Sequence, residues 1–232
     1  MKNDKIVIFG SSEIATEMAL FYFTHDSPYT VVAFTVDDKY VDKDKIKSLP
    51  LVPFSKVKKL YPPHTYDMHV CVGYSRLNLL RLEKYAQARI AGYKLVSYVS
   101  SKAITWPDLT IGDNCFILEQ NNIQPTVKIG NNVMLWSGNH IGHETVIHDH
   151  VYLASHVCIS GYNIIGDRTF IGVNATTRDF CQIGAECFIT MGALITAKKI
   201  ESGSVVFGPR CTILKPGDWK ATKIKKKYFG LY

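Results

Sequence analysis

The sequence predicts two structural units in tandem: a parallel α/β domain and a solenoid of parallel β-strands. In roughly the first hundred residues, short β-rich runs alternate with helical patterns, which is typical of βαβ units. From residue 111 an aliphatic residue recurs at every sixth position. Neither an α-helix, with a period of about 3.6, nor an alternating strand, with a period of about 2, produces this spacing. A strict longer period indicates a repeat architecture.

The first unit, residues 1–101, is predicted from its alternating elements. Strands are expected at 5–9, 30–36 and 68–72, helices at 13–24 and 76–91, and a last strand of the same sheet at 93–99. Because βαβ connections bring successive strands side by side in parallel, we expect one parallel sheet that ends near Ser101.

The second unit, residues 102–214, is defined by its register. The recurring residues are Ile111, Ile117, Ile123, Ile129, Leu135, Ile141, Ile147, Leu153, Ile159, Ile165, Ile171, Thr177, Ile183, Ile189 and Ile195. Small or β-branched residues usually follow four positions later. Three hexapeptides would form one triangular coil of about 18 residues, and about five coils would stack at the strand spacing of about 4.8 Å.

Composition limits the classes of function. The chain has 232 residues, a formal charge of +7 and a pI near 9.0. No apolar run reaches the roughly 18 residues of a membrane span, and the apolar start ends at Gly10, unlike a secretory signal. Six scattered cysteines suit reduced thiols. We expect a cytoplasmic protein that binds neither membranes nor nucleic acid, whose residues 215–232 form a solvated basic tail.

Several segments resemble one enzyme family. These are IVIFGSS at the start, FTVDD at residues 34–38, CVGYSRLN at 71–78, and IGHETVI, ISGYNIIG and FIGVNATT in the repeats. They resemble the sialic acid O-acetyltransferases and the related N-acetyltransferases of nucleotide-linked 4-amino sugars. The resemblance implies a Rossmann-like amino-terminal domain, a left-handed β-helix, a homotrimer, and acetyl-CoA bound between neighbouring β-helices. This chain departs from the relatives' GxSGHG-type turn, because Ser11, Ser12 and Glu13 follow Gly10.

His143 is the candidate catalytic base. Acyl transfer from a thioester needs a group that removes the nucleophile's proton, and a histidine that titrates near pH 7 suits this role. His143 is the third residue of the hexapeptide that begins at Ile141, and it falls on the motif histidine of the family. The resemblance implies that Glu144 orients the imidazole and that Gly161, one coil later, lets a thioester carbonyl approach the backbone.

The remaining site residues divide into two groups. By resemblance, the residues that contact acetyl-CoA are Gly161, Val173, Met191, Gly192 and Tyr152, and Arg210 with the lysines beyond it would meet the CoA phosphates. The candidate substrate residues are Ser11, Ser12, Asp37, Asp38 and Gly73, because they follow strands where an α/β sheet binds ligands. The predicted acceptor is a nucleotide-linked sugar with an amino or a hydroxyl nucleophile.

Three alternatives stay open at this stage. A sugar O-acyltransferase with a non-nucleotide acceptor would keep the same base. A γ-class carbonic anhydrase is suggested by His140, His148, His150 and His156 and by the HxxxxH spacing from His143 to His148. Its third zinc ligand would fall at Pro107, so we predict no metal. A non-catalytic β-helix scaffold is the third alternative.

Overall fold

The computed structural model describes residues 4–208 and residues 219, 220, 222, 223 and 226. The predicted basic tail therefore lies largely outside the described residues, as does Arg210. Within the described part of the chain, no helix has the length and apolar character that a membrane span requires.

The amino-terminal unit is built on a five-stranded sheet. Its strands are β1 (Lys5–Phe9), β2 (Thr30–Val36), β3 (Lys45–Ile46), β4 (Leu49–Pro53) and β5 (Asp67–Val70), in the order β3-β4-β2-β1-β5. Every neighbouring pair is parallel except β3 with β4. The helical elements are a π-helix (Ile14–Ala19), α1 (Leu20–His25), a 3-10 turn (Asp38–Tyr40), α2 (Phe54–Leu60) and α3 (Leu79–Ile90).

Two predicted elements of this unit were wrong in detail. The segment 93–99 does not add a full strand to the sheet: only Leu95 bridges to Met68 of β5, and Tyr98–Val99 pairs instead with the β-helix. The third helix begins at Leu79 rather than at residue 76, because Arg76, Leu77 and Asn78 all have left-handed backbone angles. The predicted strands at 5–9 and 30–36 are confirmed as β1 and β2.

The second unit consists of three parallel sheets stacked as in a left-handed β-helix. Face A contains β6 (Tyr98–Val99), β8 (Phe116–Ile117), β11 (Met134–Leu135), β14 (Tyr152–Leu153), β17 (Phe170–Ile171), β20 (Phe188–Ile189) and β23 (Val205–Val206). Face B contains β9 (Asn122–Ile123), β12 (His140–Ile141), β15 (Cys158–Ile159), β18 (Thr176–Thr177) and β21 (Leu194–Ile195). Face C contains β7 (Thr110–Ile111), β10 (Lys128–Ile129), β13 (Val146–Ile147), β16 (Ile164–Ile165), β19 (Gln182–Ile183) and β22 (Lys199–Ile200).

The six-residue register explains this shape. The recurring residues occupy the second position of each short strand and build one continuous core. Corner residues adopt left-handed angles at every sixth position, for example Thr126 with φ 67°, Glu144 with φ 58° and Tyr162 with φ 58°. Three such corners turn the chain through one coil, so that Lys128 pairs with Val146 and Ile129 with Ile147.

The two units share a core along face A. Ile6, Ile8 and Phe23 of the amino-terminal unit pack in one cluster with Phe116 and Tyr152 of the β-helix. Burial of this shared apolar surface joins the units, because large side chains from both contribute to it. The junction places the carboxyl ends of β1 and β5 beside the corner that joins face C to face A.

A buried guanidinium fixes that junction. Arg81 of α3 is 1% exposed and donates hydrogen bonds to the carbonyl of Val72 (2.7 Å) and to the carbonyl and Oδ1 of Asn132 (2.8 and 3.0 Å). Asn114 donates to the carbonyl of Val70 at 3.0 Å and to Asn132 Oδ1 at 2.8 Å. These bonds compensate the cost of burying the charge and hold α3 against the β-helix.

Candidate active site

His143 lies in the corner between faces B and C. The coil below fixes its turn: the His143 amide donates to Gln124 Oε1 at 2.8 Å, and the Glu144 amide donates to Thr126 Oγ1 at 3.0 Å. Ile141 is directed into the core, and the His143 and Glu144 side chains are exposed. The backbone therefore holds the imidazole at a surface that a substrate can reach.

The imidazole ring packs on the next coil. It meets Tyr162 edge-on, with ring centroids 4.9 Å apart and an interplanar angle of 87°. A Cβ atom at Gly161 would lie 2.9 Å from Nε2 and 3.0 Å from Cε1 of the ring, so the ring keeps this position only above a glycine. Among the described residues, no hydrogen bond or ion pair reaches the ring, and the Glu144 carboxylate makes none with it. Both ring nitrogens are available to a substrate.

The turn that carries Gly161 is fixed from the coil above. Thr177, the one non-aliphatic member of the core series, accepts the Ser160 amide on Oγ1 at 3.1 Å, and Ser160 Oγ donates to the Thr177 carbonyl at 2.7 Å. The Gly161 amide donates to Asp179 Oδ1 at 3.0 Å. Sequence reasoning missed both supports, although the break in the aliphatic series at Thr177 was visible.

A large apolar cavity, here called the aromatic cavity, lies where face A meets the loop of residues 74–77. It has a volume of about 850 Å³, and its lining includes Tyr74, Trp136, Tyr152, Phe170, Val173 and Met191. Tyr152 and Phe170 stack with centroids 5.3 Å apart, and Tyr74 contacts both rings. The cavity brings together Tyr152, Val173 and Met191 of the predicted acetyl-CoA residues.

Tyr152 is a wall of this cavity rather than an exposed contact. It is 3% exposed, and Trp136 Nε1 donates a hydrogen bond to its hydroxyl. Burial raises the pKa of Tyr152 to about 12, so the side chain stays neutral at physiological pH. Gly161 and Gly192 do not line the cavity; Gly192 occupies a left-handed corner position with φ +67° and open space around it.

A second cavity, the strand-end cavity, lies at the carboxyl ends of β1, β2 and β5. It has a volume of about 530 Å³ and is lined by Ser11, Ser12 and Asp37 of the predicted substrate residues. Lys84 of α3 forms an ion pair with Asp37, with Nζ 2.7 Å from Oδ1 and 2.6 Å from Oδ2. Gly10 is required at the first turn, because φ is +143° and a Cβ atom would lie 2.4 Å from the Cys71 carbonyl oxygen.

Asp38 and Gly73 lie outside the lining of the strand-end cavity. The Asp38 carboxylate accepts the Ser55 amide at 3.1 Å and the Ser55 hydroxyl at 2.5 Å, near the start of α2. These hydrogen bonds hold the pKa of Asp38 below its usual value. Asp38 therefore serves the fold of α2, and Gly73 lies in the loop that links β5 to residues 74–77, with open space where a Cβ atom would lie.

The other histidines occupy separate places in the β-helix. His150 Nδ1 accepts a hydrogen bond from Asn132 Nδ2 at 2.9 Å, and burial lowers the pKa of His150. The His156 ring packs against Gly138. Across the described residues, no group of three or more His, Cys, Asp or Glu side chains could hold a metal ion.

Comparison with known proteins agrees with the repeat register. Residues 108–142 and 126–161 match the bacterial transferase hexapeptide (six repeats), and residues 162–197 match the hexapeptide repeat of succinyl-transferase. The three-faced coil and these matches show that residues 108–197 are built from hexapeptide repeats. No curated protein matches the sequence.

The whole two-unit fold recurs in solved structures. Perosamine N-acetyltransferase from Caulobacter crescentus, solved with CoA and GDP-perosamine, has a TM-score of 0.75 and 19% identity, over 87% of this chain and 92% of that chain. The acetyltransferase domain of PglB from Neisseria gonorrhoeae, solved with acetyl coenzyme A, has a TM-score of 0.74 and 19% identity, over 88% and 96%. WeeI from Acinetobacter baumannii has a TM-score of 0.75 and 21% identity, over 90% and 99%. This chain shares their fold.

Proposed function

We propose that the protein is an acetyltransferase that moves an acetyl group from acetyl-CoA to an amino or hydroxyl group of a nucleotide-linked sugar, with His143 as the general base. The observation that carries the proposal is the placement of His143: its ring is exposed, free of hydrogen bonds within the described chain, and seated on Gly161. The shared fold supports it, since two of the similar structures hold CoA with GDP-perosamine or acetyl coenzyme A.

The chemistry assigned to these residues is proton transfer. An unbonded imidazole nitrogen accepts the proton of the attacking amine or hydroxyl as the new bond to the acetyl carbon forms, and it returns that proton to the departing thiolate. In this proposal Glu144, the next residue in the chain, stabilises the imidazolium that forms during the reaction. Since the Gly161 amide already donates to Asp179, we assign to Gly161 the space beside the ring rather than an oxyanion contact.

The acceptor is assigned to the amino-terminal unit, residues 1–101, which we propose to be Rossmann-like. The parallel strands follow the order β4-β2-β1-β5, and the strand-end cavity opens between β1 and β5, where the strand order reverses. Ligands bind at this place in open α/β sheets. Asp37 there would accept hydrogen bonds from a ribose or a base, with Ser11 and Ser12 beside it.

Acetyl-CoA is assigned to the β-helix unit, residues 102–214. Val173 and Met191 are exposed apolar side chains at the corner between faces A and B, 40% and 73% exposed, and they suit the pantetheine arm. Gly192 and Tyr152 complete the proposed set.

A homotrimer would complete the site. The aromatic cavity is lined by residues of face A and of the corner between faces A and B, whereas His143 lies at the corner between faces B and C, at the other end of face B. A general base must come within about 3 Å of the proton that it removes. The base for one aromatic cavity is therefore proposed to come from a second copy of the chain. If light scattering of the purified protein gave the mass of a monomer, 26.1 kDa, this assembly would be contradicted.

The decisive experiment measures thiol release from acetyl-CoA with a panel of nucleotide-linked amino sugars and their hydroxyl counterparts. His143→Ala should lower kcat by about 100-fold or more with little change in the acetyl-CoA KM, because a base acts in the transition state. His148→Ala is the matched control, since His148 is also exposed but lies at the corner between faces C and A. Wild-type kcat in His143→Ala would refute the assignment of the base.

A further inference from the structure

One side chain, Arg76, lines both the aromatic cavity and the strand-end cavity. Resting on the proposed function, we propose that Arg76 binds the diphosphate of a nucleoside diphosphate sugar that spans the two cavities. The nucleoside then lies in the strand-end cavity and the sugar in the aromatic cavity, so the guanidinium stands at the junction of the two halves of the acceptor.

The two cavities have different chemistry, which fixes the direction of the ligand. The aromatic cavity presents the rings of Tyr74, Trp136, Tyr152 and Phe170. Apart from Arg76 and these rings, its polar side chains are the hydroxyls of Ser75, Ser155 and Thr190, so a phosphate among the rings would lose its hydration without a cation to compensate it. The strand-end cavity carries charged and hydroxyl side chains that suit a nucleoside. The diphosphate of the ligand therefore belongs beside Arg76, the side chain that lines both cavities.

The strand-end cavity also has a surplus of positive charge. Three cationic side chains line it, Arg76, Lys39 and Lys84, against the two carboxylates of Asp37 and Glu83. Lys84 is committed to Asp37 at 2.6 Å. Arg76 pairs with Glu83, but both side chains are about half exposed, at 54% and 42%. An exposed pair of this kind is weak, whereas a guanidinium binds phosphate oxygens in bidentate geometry, so a diphosphate can displace Glu83.

The backbone turn that commonly cradles a diphosphate is altered in this chain. Ser11, Ser12 and Glu13 follow Gly10, and the Ser12 carbonyl accepts the amides of Ala15 and Thr16 at 2.9 and 3.0 Å. Side chains replace the glycines that would let a phosphate approach the backbone closely, and Glu13 adds a negative charge. A different group has to balance the charge of the diphosphate, and Arg76 is in place to do so.

The loop holds Arg76 in a conformation that requires support. Arg76, Leu77 and Asn78 have φ values of 53°, 49° and 63°, three consecutive left-handed residues without a glycine. Such strain persists only where the surroundings enforce it, and it concentrates at functional sites. Here the β-helix enforces it: buried Asn78 donates from Nδ2 to the carbonyls of Arg168 (3.1 Å) and Thr169 (3.3 Å). The position of Arg76 is thus set by the same scaffold that forms the aromatic cavity.

Calorimetric titration of the full chain with uridine, UMP and UDP, and with guanosine, GMP and GDP, tests the proposal. The preferred nucleoside diphosphate should bind at least tenfold more tightly than its nucleoside and more tightly than its monophosphate. Arg76→Gln should weaken diphosphate binding at least tenfold and leave nucleoside binding unchanged. Arg76→Lys should recover part of the loss, because it keeps the charge without the bidentate geometry.

Arg89→Gln is the matched control. Arg89 is an equally exposed arginine, 52% exposed, that pairs with Asp113 outside both cavities, so this variant should bind nucleotides like the wild type. Equal affinity of the wild type for monophosphate and diphosphate, equal losses for nucleoside and diphosphate in Arg76→Gln, or no nucleotide binding at all would overturn the proposal. Nucleotide binding that depends on Arg76 without any thiol release would uphold it and reject the acetyltransferase instead. If Arg76→Gln released thiol with an unchanged KM for the nucleotide-linked sugar, the acetyltransferase would be upheld and the role of Arg76 rejected.

Discussion

Gly161→Ala tests whether the packing of the His143 ring on Gly161 controls the rate of the reaction. The added Cβ atom would lie 2.9 Å from Nε2, 3.0 Å from Cε1 and 3.4 Å from Cδ2 of the imidazole. Carbon contacts are optimal at about 3.5 to 4.0 Å, so the ring has to retreat by roughly 0.6 Å or more. A misplacement of about 1 Å can cost about 100-fold in rate. We expect kcat to fall by about 10- to 100-fold.

The fold should tolerate this change. The φ of Gly161 lies outside the left-handed region, so alanine adds no backbone strain there. Alanine also restricts the unfolded chain, which stabilises by about 0.4 to 1 kcal/mol where the native conformation is compatible. The melting temperature should therefore stay close to that of the wild type while thiol release declines.

A double-mutant cycle isolates the cause. If Gly161→Ala acts by moving the imidazole, it should have no further effect on kcat when His143 is already alanine. The assay is steady-state thiol release at saturating acetyl-CoA for the wild type, both single variants and the double variant. Wild-type kcat in Gly161→Ala, or a full additional loss in the double variant, would refute the argument that the glycine serves the ring.

Two further predictions concern stability. Ile147, 1% exposed in the core of the β-helix, leaves a cavity when changed to alanine, and Ile147→Ala should cost about 2 to 5 kcal/mol, seen as a lower midpoint in urea with an unchanged slope. Asp26 accepts hydrogen bonds from the Ser101 amide (2.9 Å) and the Tyr98 hydroxyl (2.6 Å), which lower the pKa of Asp26 to about 2. The contribution of Asp26 to stability is complete above about pH 4 and is lost as the pH falls toward 2. Asp26→Asn should therefore lower the melting temperature at pH 6, and the difference in melting temperature from the wild type should be smaller at pH 3. An equal difference at both pH values would contradict this.

The β-helix could be predicted from sequence because its information is local and periodic. Ile111 to Ile195 keep one register, and every coil repeats the same solution, so the pattern alone indicates which side chains face inward. The same register indicated that the His143 side chain faces away from the core, and the structure places His143 at a corner. The contact of the His143 ring with Gly161 could not be predicted, because it depends on how one coil stacks upon the next.

The amino-terminal unit was harder to predict, because its details depend on distant partners. The left-handed turn at residues 76–78 reads as helix in the sequence, yet Asn78 is bound to carbonyls 90 and 91 residues away. Tyr98 reads as a strand of the first sheet, yet it pairs with Phe116 of the β-helix. Helical and strand propensities cannot encode such partners, so tertiary contacts overrode them.

The buried guanidinium of Arg81 also imposes an order on synthesis. Its acceptor Asn132 lies 51 residues further along the chain. At about 5 to 20 residues per second, the ribosome needs roughly 3 to 10 seconds to produce that partner after Arg81 has been made. During this interval the guanidinium has to stay hydrated, since burying it without the acceptor would cost several kcal/mol. Helix α3 therefore cannot dock in its final place until the second coil has emerged, and the first half of the protein has to wait for the second half before it can finish folding.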